Sequence, residues 1–132
     1  MNLYIDIDGV LLTKSLRIPK NGIEFLEYCV NNFNCYWLTT HCRHNENNAV
    51  KYLLQAYPIE LKSSLELIKP TNWDSLKTEG IDFTKPFYWL DDYPMQSELR
   101  ELEKHNVMDA MIKVDLSKSL ELKRIISILT AA

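Results

Sequence analysis

The sequence predicts an α/β fold: a parallel five-stranded sheet with helices on both faces, in three α/β/α layers. Three observations predict it. Short apolar runs alternate with segments of helical periodicity, which implies crossover connections and parallel strands. The runs lack the apolar–polar alternation of a half-exposed sheet, so both faces are covered. Three of the runs end in paired polar residues, where parallel α/β sheets open their binding crevice. Length agrees, since 132 residues suffice for one domain, 1–132.

Leu3-Tyr4-Ile5 is the first strand and runs into Asp6-Ile7-Asp8-Gly9. Residues 9–19 form a connection without clear period. Ile23, Leu26, Val30 and Phe33 recur at helical spacing and predict a helix over about 20–32. Cys35-Tyr36-Trp37-Leu38 is the second strand, ending at Thr39-Thr40. Val50, Leu53, Leu54 and Tyr57 mark a second helix, stopped by Pro58. Ile59, Leu61, Leu65, Leu67 and Ile68 suggest a short edge strand within 59–70. Thr71 or Asn72 then caps a short helix through Leu76 and Lys77, closed by Gly80. Phe87-Tyr88-Trp89-Leu90 is a strand ending at Asp91-Asp92. Met95, Leu99 and Leu102 mark a helix, and Met111-Ile112-Lys113-Val114 the last strand. Ser117 caps a final helix carrying Leu122, Ile125, Ile126 and Leu129.

Composition narrows the function. With 18 acidic and 15 basic side chains the net charge is −3, which argues against non-specific nucleic-acid binding through bulk charge. No apolar run approaches the roughly 18 residues of a membrane span, and no secretory signal is visible. Cys29, Cys35 and Cys42 have no framework spacing and read as reduced thiols of a cytoplasmic protein. Three glycines are too few for a phosphate-cradling loop, so neither a Walker motif nor a dinucleotide fingerprint occurs.

The strands deliver Asp6 and Asp8, Thr39 and Thr40, and Asp91 and Asp92 to one sheet edge. Carboxylates gathered in one crevice stay ionised together only around a cation. Hard oxygen ligands without a nearby imidazole suit Mg²⁺, which usually bridges to a substrate phosphate. A threonine hydroxyl then donates to a phosphate oxygen, and a lysine balances the remaining charge.

Asp6-Ile7-Asp8-Gly9-Val10 after an apolar strand resembles the first motif of the haloacid dehalogenase superfamily of phosphohydrolases. Tyr36-Trp37-Leu38-Thr39 looks like its second motif, Lys77 is similar in placement to its third-motif lysine, and Trp89-Leu90-Asp91-Asp92 looks like its acidic fourth motif. The resemblance covers residues 3 to about 115. It implies a Rossmann-like core and a Mg²⁺-dependent phosphatase. Asp6 would be the nucleophile that forms an aspartyl-phosphate, and Asp8 the general acid and then base. Thr39, with Thr40, Gly9 and Lys77 beside it, would hold the phosphoryl group. Lys77 would also stabilise Asp6. Asp6, the backbone carbonyl of Asp8, and Asp91 or Asp92 would hold the metal. No cap domain fits between the motifs, so specificity falls to a flap over 10–19, the 41–44 loop or a partner. The substrate is a phosphorylated small molecule or a macromolecular end. A nucleic-acid end is compatible but unsupported by charge, an oligomer is compatible, and a membrane partner is not expected.

Each residue also has a plainer reading. Asp-Gly breaks a strand, Asp91 or Asp92 caps the next helix, and Thr39 or Thr40 caps the segment after the second strand. Lys69 and Lys85 compete with Lys77, although each precedes a proline and is extended. His41-Cys42-Arg43-His44 matches no closed zinc pattern and reads as a loop, with Arg43 or His41 near the substrate. Two other functions are weighed. A phospho-receiver domain orders its acidic pair, Thr and Lys differently. An idle phosphate- or protein-binding domain has no support in a chain that keeps every catalytic group.

Overall fold

The computed structural model describes residues 1–132. Four strands, β1 (Asn2–Ile5), β2 (Asn34–Trp37), β3 (Phe87–Asp91) and β4 (Met111–Lys113), form one sheet in the order β2-β1-β3-β4. Every pairing is parallel, with Ile5 beside Trp37 on one side and Leu90 on the other. The helices are α1 (Gly22–Asn32), α2 (Ala49–Leu53), α3 (Lys62–Leu65), α4 (Gln96–Lys104) and α5 (Glu121–Thr130). None is long and apolar enough to cross a membrane.

Strand side chains alternate between two cores, which explains the unbroken apolar runs. Leu3, Ile5, Cys35, Trp37, Leu90 and Ile112 pack with Phe25 and Cys29 of α1 and with Leu122, Ile125 and Leu129 of α5. Tyr4, Phe87 and Trp89 face the other way and pack with Leu38, Trp73, Ile81 and Leu102 of α4. Burying each large aliphatic side chain stabilises the fold by roughly 1.5–3 kcal/mol.

Three expectations are corrected. The sheet has four strands rather than five, because 59–70 coils into a 3₁₀ turn (Ile59–Leu61) and α3. Leu61, Leu65 and Ile68 all meet the main core, a helical rather than a strand spacing. Only Lys69 returns to the sheet, donating to the Cys35 carbonyl (3.0 Å) and accepting from the Trp37 N–H (2.7 Å). Pro70, with no N–H, cannot continue the ladder. The helix expected from Thr71 to Lys77 is absent, and a 3₁₀ turn spans Lys77–Gly80. The Glu79 carboxylate explains this by accepting the N–H groups of Asp74 (3.0 Å), Ser75 (3.4 Å) and Leu76 (3.1 Å), which holds that stretch as a loop. Ser117 does not cap α5. Its N–H and hydroxyl both bond Asp115, and the helix begins after Leu120, at φ +57°.

Candidate functional site

From β1 the chain crosses to β2 on one side, then returns to place β3 on the other side of β1. The sheet therefore has its topological switch point between β1 and β3, where α/β sheets open a crevice. Asp6 directly follows β1 and Asp91 ends β3. The Asp6 N–H donates to the Leu90 carbonyl (3.0 Å), which continues the ladder and sets the two aspartates side by side.

Lys77 lies between them. Its Nζ donates to Asp6 Oδ2 (3.0 Å) and to Asp91 Oδ2 (2.7 Å). The other oxygens are held by backbone: Ile7 N–H on Asp6 Oδ1 (2.8 Å) and Tyr93 N–H on Asp91 Oδ1 (2.9 Å). Asp6 and Asp91 are buried, and the Lys77 side chain is nearly so. Neither Lys69, paired along the sheet edge, nor Lys85, beside Met1 and Pro86, shares this contact.

Carboxylate oxygens of Asp6, Asp91 and Asp92 lie within 4.8 Å of one another. Burial, and next the charge of Asp91, push the Asp6 carboxyl up to about 7, with Lys77 opposing. Burial and the charge of Asp91 also raise Asp92. Burial alone would depress the Lys77 ammonium, but Asp6 and Asp91 together outweigh it and raise it. Three carboxylates thus face one ammonium. A donor set of hard oxygens with a surplus of negative charge, and no thiol or imidazole in the group, fits Mg²⁺.

Gly9 closes one side at φ +83°, and any Cβ there would overlap the Asp92 carboxyl. The Asp8 carboxylate stands outside the three-aspartate group. It accepts from the Tyr52 hydroxyl (2.8 Å) and meets His41 Nε2 (3.2 Å). Thr39 is wholly buried, and its hydroxyl accepts the His41 N–H (3.4 Å), so it caps the following 3₁₀ turn. Thr40 is exposed and lines a groove of about 330 Å³ with Arg43, Trp73, Lys77 and Tyr93. A cavity of about 640 Å³ opens on the other side, bounded by Gly9, Asp92, Lys14, Tyr93, Lys113 and Ser117. Thr13, Lys14 and Ser15 place the 10–19 connection at its rim. The 41–44 cluster does not converge on a metal. His41 turns to Asp8, buried Cys42 to Asn47, Arg43 to the Asp74 carbonyl and His44 to the Asp74 carboxylate. All three cysteines are free and buried.

Sequence reasoning missed Glu98. Buried at the start of α4, it accepts the Lys77 N–H (2.7 Å) on one oxygen and the Met95 N–H (2.9 Å) on the other. It thereby fixes the backbone that presents Lys77. A Glu three residues after a helix boundary was the available signal, but that pattern announces a cap and not a second partner 21 residues away. Compared with protein-family models, curated proteins and solved structures, the chain shows no match.

Proposed function

We propose that this chain is a Mg²⁺-dependent phosphohydrolase of the haloacid dehalogenase type, on a Rossmann-like core, that cleaves phosphomonoesters through an aspartyl-phosphate on Asp6. The observation that carries the reading is the Lys77 ammonium seated between Asp6 and Asp91 at the switch point of a parallel sheet. An aspartate and a lysine in contact, in a polar crevice, form an activated nucleophile beside a fixed positive charge.

Asp6 attacks phosphorus and the bond to the leaving oxygen breaks. Asp8 gives its proton to that oxygen. It then takes a proton from the water that attacks the phosphoryl group, which frees phosphate and restores Asp6. Lys77 balances charge on the transferring group throughout, held in place by Glu98. Asp6, Asp91, Asp92 and the Asp8 carbonyl would hold Mg²⁺, which when bound supplies charge neutralisation for the phosphoryl oxygens. The rest of the substrate, a phosphorylated small molecule or a macromolecular end, occupies the 640 Å³ cavity or the groove beside Thr40.

The test is hydrolysis of p-nitrophenyl phosphate with Mg²⁺ or with chelator, joined to ¹⁹F spectroscopy of beryllofluoride, a phosphoryl mimic that needs no leaving group. Mg²⁺-dependent turnover and beryllofluoride binding, both abolished in Asp6→Asn, are expected. Turnover that survives Asp6→Asn would overturn the proposal. A stable phosphoryl group on Asp91 without turnover would instead indicate a receiver domain.

A further inference from the structure

Asp8 sits on an exposed turn, with about half of its side chain open to solvent, yet both of its oxygens are engaged. The Tyr52 hydroxyl donates to Oδ1 at 2.8 Å, and His41 Nε2 lies 3.2 Å from Oδ2. The two rings stack on each other, with centroids 3.8 Å apart and planes 25° apart. Their backbones are linked in turn. The Asn48 N–H donates to the His41 carbonyl (3.0 Å), the Tyr52 N–H to the Asn48 carbonyl (2.9 Å), and the His41 N–H to the Thr39 hydroxyl. A free surface aspartate samples several rotamers. This one is gripped at two points by a stacked plate anchored to the end of β2.

We infer that His41 and Tyr52 are positioning residues that aim the Asp8 carboxyl at the leaving-group oxygen. The inference rests on the reading of Asp8 as the general acid. Proton donation requires the donor within hydrogen-bond reach of the leaving oxygen, and a misplacement of about 1 Å costs on the order of 100-fold in rate. An exposed turn cannot supply that precision alone. Two side chains from the 40–53 segment supply it, one holding each oxygen. Neither touches Asp6, Lys77 or Asp91 through a hydrogen bond, so their effect is confined to the two proton transfers of Asp8, and kcat/KM, which ends at loss of the leaving group, reports the first of these alone.

That confinement gives the test. p-Nitrophenolate leaves readily without a proton, whereas phenolate does not. The two esters are otherwise alike. Asp8→Asn should depress kcat/KM on phenyl phosphate by ~100-fold or more and on p-nitrophenyl phosphate far less. Tyr52→Phe keeps the ring stack and removes one hydroxyl. It should lower kcat/KM on phenyl phosphate by ~10-fold and leave kcat/KM on p-nitrophenyl phosphate within about 2-fold. His41→Ala should show the same selectivity, and His41→Gln, which keeps a donor, should recover part of it. If Tyr52→Phe and His41→Ala lower kcat/KM on both esters equally, or on neither, while Asp8→Asn discriminates, the positioning role is wrong and the phosphatase reading stands. If Asp8→Asn does not discriminate, or the wild type hydrolyses neither ester, the acid assignment falls and the positioning role with it. Tyr52→Phe decides the matter alone should His41→Ala not fold.

Discussion

The raised pKa of Asp6 has a definite sign for stability. The folded protein holds this proton more tightly than the unfolded chain does. Stability therefore falls as pH rises from the ordinary aspartate range, roughly 3.9, through about 7. Asp6→Asn should accordingly stabilise the metal-free protein at pH 8, by on the order of 1 kcal/mol, and lose that advantage near pH 4. Thermal melts of both proteins across that range check it, and a constant difference would contradict it. Gly9 makes a second residue-level case. At φ +83° an alanine is strained, and its Cβ would displace the Asp92 carboxyl. Gly9→Ala should cost about 1–2 kcal/mol in denaturant unfolding and reduce Mg²⁺-dependent activity more than ~10-fold. Unchanged activity would show that Asp92 can move without consequence.

Among the elements, α4 reaches the site through Glu98, which ties its first turn to the backbone of Lys77. Glu98→Ala removes a buried carboxylate and leaves the N–H groups of Lys77 and Met95 without their partner. It should cost about 2–4 kcal/mol and lower kcat as Lys77 drifts, whereas Ile125→Ala in α5 should cost a similar 2–4 kcal/mol and leave kcat intact. Urea titration with activity measured in the folded range separates the two. The strands were legible because each is a short apolar run that ends in polar residues. The 59–70 segment was not, because apolar residues in a short run serve strand and helix alike, and the winning pattern showed only once Leu61, Leu65 and Ile68 met one core. The loop before Lys77 was hidden for a different reason. Its three N–H groups bond one side-chain carboxylate, Glu79, in place of backbone carbonyls. The His41–Tyr52 pair had no local signal either, since a backbone break at Arg43 and His44 (φ +58°) interrupts any helical register between them.

At the scale of the molecule, the order β2-β1-β3-β4 joins Asp6 to Lys77, 71 residues along the chain, and to Asp91. Asp6, Lys77 and Asp91 were legible as candidates from their places after strands and before β3. Their direct contact was not, because it depends on strand order, which apolar runs do not encode. On the proposed function the gathered carboxylates hold Mg²⁺, so the stability of the whole fold should respond to it. Mg²⁺ at 100 times its dissociation constant should stabilise the protein by about 2.7 kcal/mol, and one fixed Mg²⁺ concentration should stabilise it more at pH 8 than at pH 5, where Asp6 holds its proton. A chelator should reverse the shift, and an equal shift in Asp6→Asn would argue for binding elsewhere. The central claim is that Asp6 carries the phosphoryl group. Its most direct test is borohydride reduction of the enzyme during turnover of an aryl phosphate in Mg²⁺, which converts an aspartyl-phosphate to homoserine, followed by peptide mass spectrometry. Homoserine at position 6 is the expected result; homoserine at Asp8, Asp91 or Asp92, or at no position while turnover proceeds, would contradict it.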